Sequence, residues 1–134
     1  EKDKFLILDL LTWMHEKKMD YTNTFCHLMD EEVQKDNNYE DKNFKIWKKR
    51  WKIRLLLNNN TPEKYIKLMR SVNPLVIPRN QKVEESLKVA EQNDLKKINQ
   101  LLEILNNPYT KKNDIIRYQY PSLTNQKYQT FCGT

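Results

Sequence analysis

From Asp3 to Lys18 apolar residues crowd almost every side of a helix: Phe5, Leu6, Ile7, Leu8, Leu10, Leu11, Trp13 and Met14 leave only Asp9, Thr12 and Glu16 as a thin polar strip. The pattern predicts a helix that asks for burial all round. Asp20 and Thr22 are N-cap types ahead of a second, short helix carrying Phe25, Leu28, Met29 and Val33, and Asp36 to Asp41 reads as a polar loop. Phe44, Trp47, Trp51 and Leu55 then recur at steps of three and four, with Lys42, Lys45, Lys49 and Lys52 on the opposite side. One amphipathic helix fits both series. Asn58, Asn59 and Asn60 end it, because Asn tolerates the left-handed cap conformation. Thr61, Pro62 and Glu63 restart a helix with a cap, a first-turn proline and a helpful negative charge, and Tyr65, Ile66, Leu68, Met69 and Val72 make its apolar side.

Pro74 and Pro78 bias Asn73 and Ile77 towards extended backbone, so residues 73–79 should cross between helices as an irregular, partly buried strap. Asn80 can cap the next helix, whose face is Val83, Leu87 and Ala90. Asn93 stands where a left-handed terminator belongs, Asp94 caps a further helix, and Leu95, Ile98, Leu101, Leu102 and Leu105 form the second face of an αα-hairpin. Pro108 stops it. Tyr109 to Thr134 shows no period and holds Tyr118, Tyr120, Pro121, Tyr128 and Phe131 among polar residues. The expectation is a single all-α region over residues 1–134: two or three helical hairpins within 1–113, then an extended tail over 114–134.

Composition narrows the chemistry. At 134 residues one domain is the ceiling. The only glycine is Gly133, which excludes Gly-rich phosphate loops and dinucleotide fingerprints, since each needs glycine at fixed places. Cys26 and Cys132 are too few for a disulfide framework and lack zinc-ligand spacing, which fits either a reducing compartment or an isolated redox thiol; no structural zinc is expected. Phe5 to Met14 is far shorter than the roughly 18 to 20 apolar residues that span a bilayer, so no membrane partner is expected. Glu1 in place of a starting Met suggests a piece of something longer.

Charge is unevenly spread. Residues 1–41 carry 11 acidic against 5 basic side chains, a net −6, whereas 42–134 carry 19 basic against 7 acidic, a net +12. Seven of the thirteen residues from Lys42 to Arg54 are basic, with Trp47 and Trp51 interleaved, which could supply phosphate contacts and base-stacking platforms. A free-standing nucleic-acid-binding module is therefore one reading; a solvated helix face, or mutual attraction of the two halves, are others, and the shared Trp stripe favours them. His15 and His27 have no partner at metal spacing and read as surface or boundary residues. The pairs Glu31/Glu32 and Glu84/Glu85 are adjacent, point to different sides of a helix and make no acid/base pair; no triad can be assembled, so no catalytic or metal residue is assigned. Arg79, just before a helix start where the macrodipole disfavours a cation, should have an acidic or phosphate partner. Cys132 lies beside Gly133 near the chain end, where its thiol is either an inert terminus or able to reach a partner sulfur; Cys26 reads as a buried small apolar residue.

The runs Asn73-Pro74-Leu75-Val76-Ile77-Pro78-Arg79-Asn80, Val83-Glu84-Glu85, Asn93-Asp94, Asn107-Pro108-Tyr109 and Tyr128 to Thr134 resemble the C-terminal region of the SelO family, as do Asp20 to Phe25 and Trp47 to Arg54. The resemblance implies a longer parent protein whose kinase-like domain uses ATP and Mg to transfer AMP to Ser, Thr or Tyr hydroxyls of protein substrates. It places the catalytic and metal-binding residues upstream of the matched region, so this chain would hold no cofactor and would pack on that kinase-like domain, on the same or a separate chain, with Arg79 and Asn80 as interdomain contacts. It also matches Cys132 to the family's terminal Cys or selenocysteine, a redox position. Location would be cytoplasmic in bacteria and mitochondrial in eukaryotes. The chain departs from the family pattern at Gln81 (commonly His), Cys26 (commonly Arg) and Asn93 (commonly Gly).

Overall fold

A computed structural model describes residues 2–31, 36–57, 61–111 and 115–120, and every regular element among them is helical. The order is α1 (Lys2–Glu16), α2 (Tyr21–Met29), a 3-10 turn (Asn37–Glu40), α3 (Lys42–Leu56), α4 (Pro62–Val72), α5 (Asn80–Ala90), α6 (Lys96–Leu105) and α7 (Ile116–Gln119). These fall into two compact units, Glu1–Pro74 and Leu75–Thr134.

In the first unit, α1 ends without glycine. Lys18 adopts φ 53°, the Lys18 amide donates to the His15 carbonyl at 3.2 Å, and the Met19 amide reaches back to Met14 at 2.8 Å, the bonding of a Schellman terminator. Asp20 then caps α2, its carboxylate accepting from the Asn23 amide at 2.8 Å. Between α2 and α3 the sequence predicts only a polar loop. Asp36 instead caps the 3-10 turn, accepting from the Asn38 amide, and the turn drives Tyr39 into the core. A single aromatic residue carries no period, which is why the pattern misses it. Val33, expected on α2, and Asn58 to Asn60, expected to end α3, lie outside the described residues.

Asp41 starts α3 by accepting from the amides of Asn43 (2.9 Å) and Phe44 (3.2 Å), and the same carboxylate accepts from the Trp13 indole at 3.2 Å. One side chain thus caps a helix and pins it to α1. Phe44 sits at the centre of the core, 4.5 Å from the ring of Trp13, 5.3 Å from Tyr39 and 5.8 Å from Trp47. Trp47 stacks on Trp51 at 5.8 Å, and Trp51 meets Tyr65 of α4 edge-on. The expected stripe of α3 is thus the packed one. The expectation for α1 is not met: Leu10, Trp13 and Met14 are buried, but Phe5 and Ile7 are about 60% exposed, because one neighbouring layer covers only one face. On α4 no residue is fully buried, and Leu68 and Val72 face outward.

In the second unit the strap forms as expected, with Val76 buried and the Leu75 amide donating to the Pro108 carbonyl at 2.7 Å. Arg79, rather than Asn80, takes the N-cap position of α5. Ser86 is the buried residue of α5 while Leu87 is exposed, so the inner face is rotated from the one the apolar residues suggest; the Ser86 hydroxyl is satisfied by the Lys82 carbonyl at 2.7 Å. Asn93 adopts φ 63° and its neighbour Asp94 donates to Val89, a second Schellman terminator, after which the Asp94 carboxylate accepts from the Lys96 amide. Leu101 and Ile104 are the buried residues of α6; Leu95 and Leu102 are not. The supposed extended tail contains the short helix α7, preceded by buried Ile115, and Gln119 donates to the Leu75 carbonyl at 3.1 Å. A four-residue helix is too short to show a period.

Candidate functional site

The basic stretch of α3 folds onto the acidic start of the chain. Arg54 forms two hydrogen bonds to Asp3, Arg50 meets Asp9 at 2.7 Å, Lys48 and Lys52 share Glu31, and Lys45 meets Glu40. Lys17 of the turn after α1 adds a contact to Asp41 at 3.1 Å. Five of the seven basic residues of 42–54 are thus paired with carboxylates from the acidic stretch 1–41. The hydrogen bond from Arg54 holds Asp3 below the usual carboxylate range, Lys48 does the same for Glu31 and Lys45 for Glu40. Asp41 is lowered chiefly by the Phe44 amide and then by Lys17. Of the two expected stacking platforms, Trp51 is half-buried between Trp47 and Tyr65, and Trp47 is buried and donates its indole N–H to the Leu6 carbonyl at 2.7 Å. It presents no face to a base.

The two histidines separate. His15 is exposed, whereas His27 is buried and lies flat on Tyr39 with ring centroids 3.8 Å apart, against its reading as a boundary residue. Burial pushes the Tyr39 hydroxyl up to about 12, so it stays protonated, 3.4 Å from the Thr24 hydroxyl. Cys26 is almost wholly enclosed, its Sγ 3.6 Å from the Pro74 carbonyl. Cys132 lies outside the described residues. Arg79 is half-buried and Asn80 exposed, both at the start of α5; Gln81 donates to Glu85 at 3.0 Å. Among the described residues no group of three or more His, Cys, Asp or Glu is placed to hold a metal ion, and no helix is long and apolar enough to cross a membrane.

The sequence pattern alone does not reveal a groove that the fold assembles. α1, α2, α3 and α4 enclose a cavity of about 310 Å³ whose floor is Leu10, Leu28 and Trp47. Ile7, Leu11, Tyr21 and Leu68, all large and exposed, stand at its mouth. The signal was present in the all-round apolar pattern of α1, which no single chain layer could satisfy.

Residues 1–106 match the family described as protein adenylyltransferase SelO. Over 135 residues the chain is 47% identical to a protein of Pelagibacter ubique named protein nucleotidyltransferase YdiU, with all of this chain aligned to 28% of that protein. Proteins of the same name from Alcanivorax borkumensis and Nitrosococcus oceani are 42% and 41% identical, covering 99% and 100% of this chain and again 28% of their own lengths. The chain spans little more than a quarter of these curated relatives.

Proposed function

Since the chain belongs to the SelO family of protein adenylyltransferases, we propose that it is the C-terminal, non-catalytic region of such an enzyme, packing on an upstream kinase-like domain that transfers AMP from ATP to protein hydroxyls. One observation carries this reading: five carboxylates of the first unit, Asp3, Asp9, Glu31, Glu40 and Asp41, are each paired with a lysine or arginine of the same unit, and Asp20 and Asp36 are spent as helix caps. A phosphoryl-transfer centre needs carboxylates converging on Mg and left open to it. Here they are structural. ATP and Mg belong to the remaining part of the protein.

In the same reading Cys132 is the redox position and Arg79 and Asn80 are interdomain contacts. The enclosure of Cys26 supports the choice between thiols, because a buried sulfur is shielded from exchange. The test is transfer of labelled AMP from ATP to a protein acceptor. The full-length enzyme should label it and the purified 134-residue chain should not; labelling by the chain alone overturns the proposal. With the full-length enzyme, a mild thiol oxidant should join Cys132 to a second cysteine, and the reducible link should vanish in Cys132→Ser.

A further inference from the structure

None of the ion-paired side chains of the first unit lines its groove. Its mouth draws exposed apolar residues from three different helices to one place: Ile7 and Leu11 of α1, one turn apart, Tyr21 of α2 and Leu68 of α4. Single exposed apolar residues are ordinary, but convergence on one concavity over a buried apolar floor marks a surface that is covered. The lining sets the chemistry of the cover. None of the described side chains that line the groove is charged, and its one amide, Asn73, already donates to the Met69 carbonyl at 2.9 Å. A small-molecule site needs a few converging polar groups to orient its ligand, whereas this lining adds to that amide only the Tyr21 and Tyr65 hydroxyls and the Trp51 indole, the Trp47 N–H being spent on Leu6. An apolar protein segment needs none.

We propose that the groove seats an apolar segment from the larger remaining part of the same SelO-family protein. The relatives carry 72% of their length outside the region matched by this chain, the remainder of the 28% covered, so a partner of ample size is joined to it in every one of them. The centre of a stable interface is apolar and excludes water, and that is the surface this groove offers. The proposal rests on the reading that the chain is part of a longer SelO-family enzyme, and adds where the two parts meet.

The experiment places a thiol at the mouth of the groove in the full-length enzyme. Leu68→Cys and, separately, Ile7→Cys are made, both at exposed positions where substitution leaves the core intact, and Lys49→Cys on the outer side of α3 is the control. Maleimide labelling is followed by peptide mass spectrometry, which separates the new thiol from Cys26 and Cys132. Both mouth positions should react at least tenfold more slowly than Lys49→Cys, at the same rate over a hundredfold range of protein concentration and before and after solvent extraction of bound lipid. Labelling as fast as the control overturns the proposal. Protection that fades on dilution assigns the groove to a second copy, and protection lost on extraction assigns it to a small apolar ligand; either result overturns it too. AMP transfer is read separately, so an active enzyme with freely labelled mouth positions refutes the docking alone.

Discussion

The first unit is built around rings and the second around aliphatic chains. Trp13, Tyr39, Phe44 and Trp47 form one core, whereas Val76, Ile104 and Ile115 form the other. The polar bonds differ too: the first unit ties α1 to α3 through the Trp13 to Asp41 and Trp47 to Leu6 hydrogen bonds and through Arg50 and Arg54, while the second relies on helix pairing and on two bonds at the strap, the backbone bond from Leu75 to Pro108 and the Gln119 side chain on the Leu75 carbonyl. Helices distant in sequence need side-chain bonds to fix their register, which two helices joined by a short turn obtain from the turn. The first unit should therefore be the more sensitive to loss of a large ring and to acid.

The contrast breaks most visibly at Phe44. Removing this nearly inaccessible ring deletes the contacts of four aromatic neighbours, Trp13, His27, Tyr39 and Trp47, and Phe44→Ala should cost about 3–5 kcal/mol. All three tryptophans lie in the first unit, so urea unfolding followed by tryptophan fluorescence reports it selectively. Ile104→Ala, in the smaller cluster, should lower helix stability by circular dichroism at the lower end of about 2–5 kcal/mol while leaving the fluorescence midpoint in place. Equal shifts of the fluorescence midpoint by both substitutions would show that the units unfold as one.

Acid should act next. Asp3, Glu31, Glu40 and Asp41 all titrate below their ordinary values of 3.8 and 4.5 because their partners favour the charged form. The unfolded chain therefore binds more protons in this range. The stability these groups contribute is complete above the ordinary values and is lost as pH falls through the depressed ones. The fluorescence midpoint should hold down to about pH 5 and then drop, and a flat profile to about pH 3 would show that these pairs contribute nothing to stability.

The smallest effect compares the two terminators. Lys18 and Asn93 both occupy the left-handed region, which costs a residue with a Cβ roughly 1–2 kcal/mol and asparagine less. Lys18→Gly should stabilise the first unit by about 1 kcal/mol, and Asn93→Gly the second by only a few tenths. Equal gains would show that asparagine has no advantage at this position.

Where many residues repeat one instruction, the fold was legible. The α3 stripe, the Asp20 cap and the left-handed Asn93 arise from local chemistry, and the structure has them all. His27 was misplaced and the burial of Tyr39 and Ser86 was missed, because none of the three belongs to an apolar period of its own element. The second role of Asp41, holding the Trp13 indole, spans 28 residues and leaves no local trace. The groove was half legible: α1 announced more apolar surface than its neighbours could cover, but only the meeting of four helices shows where that surface gathers.

The span of the bond between Arg54 and Asp3 also bears on time. The two residues are 51 positions apart, and Trp47 reaches Leu6 across 41, so α1 finds its partner only after a long loop has closed. The α5–α6 hairpin closes over the five residues 91–95 and loses little of that entropy. Chains rich in local contacts fold faster. The hairpin can thus form as soon as its own two helices exist, whereas α1 waits with its apolar side bare until α3 arrives.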